Sequence, residues 1–170
     1  MILGYKYANG KIISGFYEEN SHKIVDIEDC LMHSDLQNEI ARGIKKIFSD
    51  LKIRPYDEDR KIGLVRYVLI REAVFKKEVL VTIVTSTDVF PARNEVVKRI
   101  RNLSPLIKTI VQNINPRKTS IVLGDKERVL YGPGFIKDEM CGITFNITSK
   151  AFYQVNLYFL LRPTKLLYRL

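Results

Sequence analysis

The sequence of 170 residues contains few of the features that mark metal-binding, secreted and membrane proteins. Its only two cysteines, Cys30 and Cys141, cannot alone form a closed metal site, which normally needs about four ligands. No apolar run approaches the roughly 20 residues of a membrane-spanning helix, and the start of the chain lacks the pattern of a secretory signal. Neither a GxGxxG loop nor a P-loop occurs, so a nucleotide pocket of either kind is not indicated. We expect a cytoplasmic protein in a reducing compartment.

Acidic residues are fewer than basic ones, with 19 Asp and Glu against 28 Lys and Arg, which gives a formal net charge of +9. An excess of this size favours polyanionic partners, because each phosphate that a cation neutralises releases condensed counterions. RNA or DNA is the first candidate partner, an anionic membrane is the second, and a solvated basic surface without a partner is the third. The hydrophobic fraction of 46% is enough for a packed core, and the length suits about one domain.

Short apolar segments separated by turn signals predict mostly antiparallel strands. Asn9-Gly10 predicts a tight hairpin, and the segments Gly63 to Arg71 and Glu78 to Ser86 predict a second one. Further strands are predicted at 23–27, 107–113, 121–123, 128–131 and 142–147, of which 121–123 and 128–131 should pair around Gly124-Asp125.

Two helices complete the predicted fold. Ser34 to Gln37 is a capping-box pattern, followed by apolar residues at helical spacing as far as Leu51, and Pro55 should prevent further extension. Pro91 precedes a short amphipathic helix whose outer side is basic. Together these elements predict an α+β fold with a largely antiparallel β-sheet and two helices.

No combination of residues supports catalysis by itself. The candidates are two histidines, a cysteine and an acidic cluster: His22, His33, Cys141, Asp26, Glu28 and Asp29. The better interpretation places the histidines at loop or cap positions and the acidic cluster at a solvated strand end. It makes the cysteine a buried small side chain.

Two basic clusters give a stronger indication of function. One lies on the second helix and the other in a loop between strands, and their predicted RNA-binding residues are Arg93, Lys98, Arg99, Arg101, Arg117 and Lys118. Positioned together, they could follow a phosphate backbone while Tyr67 or Tyr131 stacks against unpaired bases. A solvated basic face is the alternative for each cluster.

Two longer stretches resemble a known family. GFYEENSHKIVDIEDC, Gly15 to Cys30, resembles the central-domain signature of the bacterial RNA (uracil-5-)-methyltransferases that modify 23S ribosomal RNA. Tyr131 to Asn156 resembles the segment that leads into their methyltransferase domain, and RYVLIRE at Arg66 to Glu72 and NINP at Asn113 to Pro116 fall between them in the expected order. The resemblance covers residues 4 to 156.

The resemblance implies methyl transfer from S-adenosylmethionine to C5 of an unpaired uridine, which a cysteine thiolate activates by adding to C6. Gln154 matches a glutamine that contacts S-adenosylmethionine in the family. Cys30 matches the last of the cysteines that hold a 4Fe–4S cluster in many members, but the other ligands would precede Met1, so we do not expect a bound cluster. RNA, ribosomal by resemblance, is the expected partner.

The family's glycine-rich cofactor loop, its nucleophilic cysteine in an Asp-Pro-Pro-Arg context and its glutamate base do not occur in this sequence. The resemblance therefore implies a central RNA-handling domain at 1–130, a lead-in segment at 131–156 and an aberrant tail at 157–170, truncated before the Rossmann-like methyltransferase domain and inactive alone. A frameshift or an early stop would explain the tail. The alternative interpretation is a non-catalytic RNA-binding module.

Overall fold

The computed structural model describes residues 1–19 and 21–151, so that Gln154 and the tail at 157–170 lie outside the described residues. The strands are β1 (Ile2–Ala8), β2 (Lys11–Tyr17), β3 (Ile24–Asp26), β4 (Val65–Ala73), β5 (Glu78–Thr85), β6 (Ile107–Ile114), β7 (Lys126–Tyr131), β8 (Ile136–Met140) and β9 (Ile143–Ile147). The helices are α1 (Asp35–Asp50) and α2 (Arg93–Arg101). The predicted α+β fold is confirmed.

Seven strands form one sheet in the order β3-β2-β1-β4-β5-β6-β7, and β8 and β9 form a separate hairpin. All neighbouring strands are antiparallel except β5 and β6, which are parallel. Parallel neighbours need a crossover connection, and α2 supplies it. The sheet is therefore largely antiparallel, as predicted.

Helix α1 begins where the sequence predicts, because the Ser34 hydroxyl accepts a hydrogen bond from the backbone N–H of Gln37 at 3.1 Å. Its buried stripe includes Ile40, Ile44 and Phe48, which pack on one face of the sheet. Each such side chain contributes about 1.5–3 kcal/mol by leaving water. None of the helices within residues 1–19 and 21–151 is long and apolar enough to cross a membrane.

The opposite face of the sheet is covered in two separate patches. Val122 and Leu123, in the segment before β7, pack against Tyr67 of β4 and its apolar neighbours. Ile136 and Ile147, from the β8–β9 hairpin, pack against the far end of β4 and β5. Between these patches lies Ser149, from the segment after β9, which bonds Thr82 of β5 through its hydroxyl and Arg71 of β4 through its carbonyl.

The predicted hairpin around Gly124 is wrong. Residues 121–123 are not a strand, and β7 pairs with β6 instead. The physical reason lies in two buried side chains, Asn113 at the end of β6 and Asn115 just after it. The Asn113 amide exchanges hydrogen bonds with the backbone of Gly124, and the Asn115 amide donates to the carbonyls of Ile121 and Val122. These side chains take the place of strand partners for the segment.

The interpretation of Cys141 as a buried side chain in a strand is also wrong. Cys141 is exposed, and with Gly142 it forms the two-residue turn between β8 and β9, with φ of 53° and 80° respectively. Positive φ at both central positions is the geometry of a tight hairpin turn, which Asn9 and Gly10 also adopt between β1 and β2. The sequence did not predict β8, because its segment IKDEM is rich in charged residues.

Candidate nucleic-acid interface

A loop of residues 115–124 joins β6 to β7 and carries one of the two basic clusters. The guanidinium of Arg66, on β4, lies beneath this loop and is 1% exposed. Its Nε and Nη2 atoms donate to Glu58 Oε1 at 2.9 and 2.7 Å, and the rings of Tyr56 and Tyr67 lie 5.0 and 5.9 Å from its central carbon. A buried charge needs such a partner, since an unpaired one would be far too costly to desolvate.

The remaining donors of Arg66 bind the loop backbone. Nη1 donates to the carbonyls of Asn115 at 3.2 Å and Arg117 at 2.6 Å, and Nη2 donates to the carbonyl of Thr119 at 3.2 Å. The loop closes at Gly124, where an added Cβ would lie 2.0 Å from the carbonyl oxygen of Ile114. The loop backbone is therefore fixed from below, although the loop contains no helix or strand.

With its carbonyls turned inward, the loop exposes both of its cations. Arg117 forms an ion pair with Asp125 at 2.6 Å. Lys118 forms no ion pair within residues 1–19 and 21–151. Lys118 therefore has its full charge available to a ligand.

A groove of about 990 Å³ lies beside the loop. Its lining includes Lys118 and Val122 of the loop together with Phe16, Tyr17 and Tyr67. Tyr67 is only 8% exposed, whereas Phe16 is 36% exposed and stacks on the His33 ring at 6.4 Å between centroids. Phe16 is therefore more accessible than Tyr67, and no feature of the sequence other than its residue type pointed to it.

Both basic and acidic side chains line this groove, the acidic ones being Glu18 and Glu58. Lys61 lies on its rim, 3.8 Å from the Glu58 carboxylate that also binds Arg66. His22 binds Asp59 at 2.7 Å. Burial lowers the pKa of His33 to about 4, so its ring is neutral at pH 7. The groove thus combines aromatic side chains with two lysines, the types of group by which proteins hold unpaired nucleotides.

The second basic cluster lies on α2. Arg93, Lys98 and Arg101 line a cavity of about 300 Å³ together with Arg128 of β7. Arg101 lies 4.0 Å from the centroid of the Tyr131 ring, and so it occupies one face of a ring that we expected to be free for bases.

Arg99 of the same helix is partly neutralised by carboxylates. It binds Glu95 at 2.7 Å and Asp50 at 3.6 Å. Helix α2 packs on the sheet face that α1 covers, because Val96 and Ile100 share a core with Ile44. The loop packs on the other face through Val122 and Leu123. The structure therefore separates the two predicted basic clusters by the thickness of the sheet.

The possible iron–sulfur ligand Cys30 lies close to one other candidate ligand. Its Sγ atom is 3.1 Å from Nδ1 of His33, and the Asn38 side chain bonds its backbone. Among the described residues, no group of three or more His, Cys, Asp or Glu side chains could hold a metal ion. The described part of the chain therefore does not fit a 4Fe–4S cluster, and the role of Cys30 stays a prediction.

Two members of the acidic cluster at the end of β3 form ion pairs with α1. Asp26 binds Lys45 at 2.6 Å, and Asp29 binds Arg42. This arrangement agrees with the interpretation of a solvated strand end.

Comparisons with known proteins relate this chain to RNA methyltransferases, although no family model matches it. The chain is 37% identical over 147 residues to an uncharacterized RNA methyltransferase of Halalkalibacterium halodurans, and 35% identical over 149 residues to one of Oceanobacillus iheyensis. These alignments cover 86% and 87% of this chain and 32% of each relative.

A solved structure gives the same result. The tRNA (uracil-54, C5)-methyltransferase of Pyrococcus abyssi, in complex with S-adenosyl-L-homocysteine, superimposes with a TM-score of 0.76 at 26% identity. The match covers 98% of this chain and 39% of that protein. The chain is thus similar, over most of its own length, to proteins named RNA methyltransferases and to a uracil-C5 enzyme, which confirms the resemblance found in the sequence. It spans about a third of the length of the curated relatives that it matches.

Proposed function

We propose that this chain is the RNA-handling part of a cytoplasmic, S-adenosylmethionine-dependent RNA uracil-C5 methyltransferase, with ribosomal RNA as its substrate. The observation that carries the proposal is the basic loop of residues 115–124 beside an aromatic groove, in a chain related to RNA methyltransferases. By itself, the chain binds RNA and does not methylate it.

The chemistry of the family explains why such a groove is useful. C5 of a uridine is inaccessible in a stacked helix, so the target nucleotide and its neighbours must leave the stack. An enzyme of this kind needs sites that hold the displaced nucleotides, with rings for the bases and cations for the phosphates. Phe16 offers the ring, and Lys61 and Lys118 offer the cations.

S-adenosylmethionine would supply the methyl group. Gln154 remains the residue proposed to contact it, and the described residues contain no further part of such a site that the sequence predicts. The residues of this chain are proposed to bind and orient RNA, and the nucleophile and base of the family belong to motifs that this sequence does not contain.

RNA binding is tested by fluorescence anisotropy with a fluorescein-labelled ribosomal RNA hairpin that has a uridine-rich loop. Each lost phosphate contact should reduce the log–log salt slope by about 0.7–0.9, so we expect about that change from Lys118→Ala and a smaller further change when Arg117→Ala is added, because Asp125 already pairs with Arg117. The matched control is Lys45→Ala with Lys46→Ala on α1, which should change the slope little. No affinity of the unaltered chain at low salt, or equal losses for the two pairs, would contradict the proposed interface.

A second measurement separates the domain of an enzyme from an autonomous catalyst. The purified chain is incubated with labelled S-adenosylmethionine and unmodified 23S RNA, and C5 of uridine should stay unlabelled. Clear turnover would refute the proposal that the chain is inactive alone. The non-catalytic binding module is the second candidate, favoured by the absence of the catalytic motifs, and the genomic sequence on both sides of this reading frame distinguishes the two.

A further inference from the structure

We propose that Arg66 is a positioning residue for RNA binding, which holds the loop of residues 115–124 in the conformation that presents Arg117 and Lys118 to RNA. The inference rests on the proposed function, since it assigns that loop to the interface. Arg66 itself lies beneath the loop, is 1% exposed and cannot reach a ligand on the outer surface.

The hydrogen bonds of Arg66 account for its full donor capacity. A guanidinium has five N–H donors, and the structure shows five bonds: two to Glu58, and one each to the carbonyls of Asn115, Arg117 and Thr119. The three carbonyls belong to alternate residues in the first half of the loop. A planar fork can bind all of them at once, whereas the three donors of a lysine ammonium cannot reproduce this arrangement.

These bonds matter because no regular secondary structure orders the backbone of the loop. Its backbone carbonyls have no strand or helix partners in this segment, and Pro116 contributes no N–H donor. Lys118 lies between two residues whose carbonyls Arg66 holds. A loop that is already ordered loses less conformational entropy on binding, and so it binds more tightly than a mobile loop with the same charges.

The role of Arg66 is geometric rather than electrostatic. The Glu58 carboxylate neutralises its charge at 2.7 Å, and the pair is buried together. The attraction of phosphate therefore comes from the exposed cations above it. Arg66→Lys keeps the charge and removes the fork, which allows geometry to be tested at constant charge.

The experiment compares Arg66→Lys with Arg71→Lys in the full chain. Arg71 is on the same strand, but its Nη2 atom binds the carbonyl of Ser149, far from the loop in sequence. The first readout is tryptic cleavage after Arg117 and Lys118, identified by mass spectrometry. The second is affinity for the labelled RNA hairpin by anisotropy. For Arg66→Lys we expect cleavage about tenfold faster and affinity about tenfold weaker, and for Arg71→Lys neither change.

A double-mutant cycle tests whether Arg66 acts through the loop cations. In the Arg117→Ala, Lys118→Ala background, Arg66→Lys should weaken RNA binding by less than about twofold, because the groups that it positions are gone. Independent, multiplicative losses would overturn the inference. A residue that only stabilised the fold would also weaken binding in the background that lacks the cations.

Two further outcomes are distinguishable. If circular dichroism shows that Arg66→Lys does not fold, the double variant Arg66→Met, Glu58→Gln replaces it: this change removes both buried charges together with the bonds to the loop, and loop cleavage should rise by about threefold or more. Unchanged loop cleavage in the folded variant refutes the role of Arg66 whatever the RNA result. If the unaltered chain shows no RNA affinity while Arg66→Lys still accelerates cleavage, the loop is anchored as described, but the proposed function and this inference about RNA both fail.

Discussion

The two faces of the seven-stranded sheet are built differently. The face under α1 and α2 holds one continuous apolar core, in which Ile44, Phe48 and Ile100 are almost completely buried. The opposite face holds two smaller apolar clusters, with buried polar groups such as Arg66 and Thr82 on the same side. The first face stabilises the fold by burying apolar surface area, and the second holds loops in place through hydrogen bonds.

This difference explains where a ligand groove can form. Close packing of apolar side chains leaves no room between a helix and a sheet. Hydrogen bonds hold a segment at a few points, and a groove remains beside it. The groove of about 990 Å³ accordingly lies on the face that the loop only partly covers.

The largest effect should come from the helix-covered face. Phe48→Ala removes a side chain that is 1% exposed and that makes an edge contact with Tyr5 at 5.3 Å between centroids, so it should lower the free energy of unfolding by about 3–5 kcal/mol. Leu123→Ala, on the other face and only half-buried, should cost about 1 kcal/mol. Urea unfolding measures both, and equal losses would remove the contrast between the faces.

A smaller effect is expected at the hairpin that covers the second face. Buried Asp138 of β8 accepts hydrogen bonds from the backbone N–H groups of Val74, Phe75 and Lys76, in the β4–β5 turn. Asp138→Ala should destabilise the chain by about 2–3 kcal/mol, because these donors lose their acceptor. The neighbouring Glu139→Ala removes only an ion pair on the surface and should cost less than about 1 kcal/mol. Similar values for the two variants in urea unfolding would refute this role of Asp138.

The third prediction compares the two basic clusters in RNA binding. Arg93→Ala with Lys98→Ala should reduce the log–log salt slope by about 0.7–0.9 for each residue that contacts a phosphate. Arg99→Ala should reduce it less, because Glu95 and Asp50 already neutralise Arg99. If only the loop variants change the slope, RNA contacts one face of the sheet. If Arg99→Ala matches the double variant, its ion pairs do not reduce its contribution.

The smallest effect concerns pH. Burial lowers the pKa of His33 from 6.5 to about 4, so between these pH values the unfolded chain binds more protons than the folded chain. The contribution of the neutral His33 ring to the free energy of unfolding is thus fully present above about pH 6.5 and is lost as the pH falls toward about 4. The half-buried ring keeps the loss small. Urea midpoints of the unaltered chain and of His33→Gln, measured from pH 7 to pH 4.5, should diverge on acidification, and parallel curves would contradict the shift.

Local patterns of the sequence predicted much of the fold. The cap at Ser34, the stripe of α1 and the Asn9-Gly10 turn depend on interactions within a few residues, and the structure has all three. The strand β8 was not predicted, because its charged segment is stabilised by the buried Asp138. The basic loop was predicted, but residues 121–123 were wrongly predicted as a strand, because the Asn115 side chain holds their backbone instead of a strand partner. The helix and strand propensities of individual residues do not include such tertiary contacts.

The candidate site shows the same division. Residue types indicated the cations of the loop and of α2, but only the tertiary structure showed that the sheet separates them and that Phe16 and Lys118 line the same groove. The sequence by itself determined the composition, the charge, the helix α1 and the relationship to RNA methyltransferases. The tertiary structure decided which cations are free, which are paired and which, like Arg66, are buried, because these states depend on partners that are up to 53 residues away along the chain.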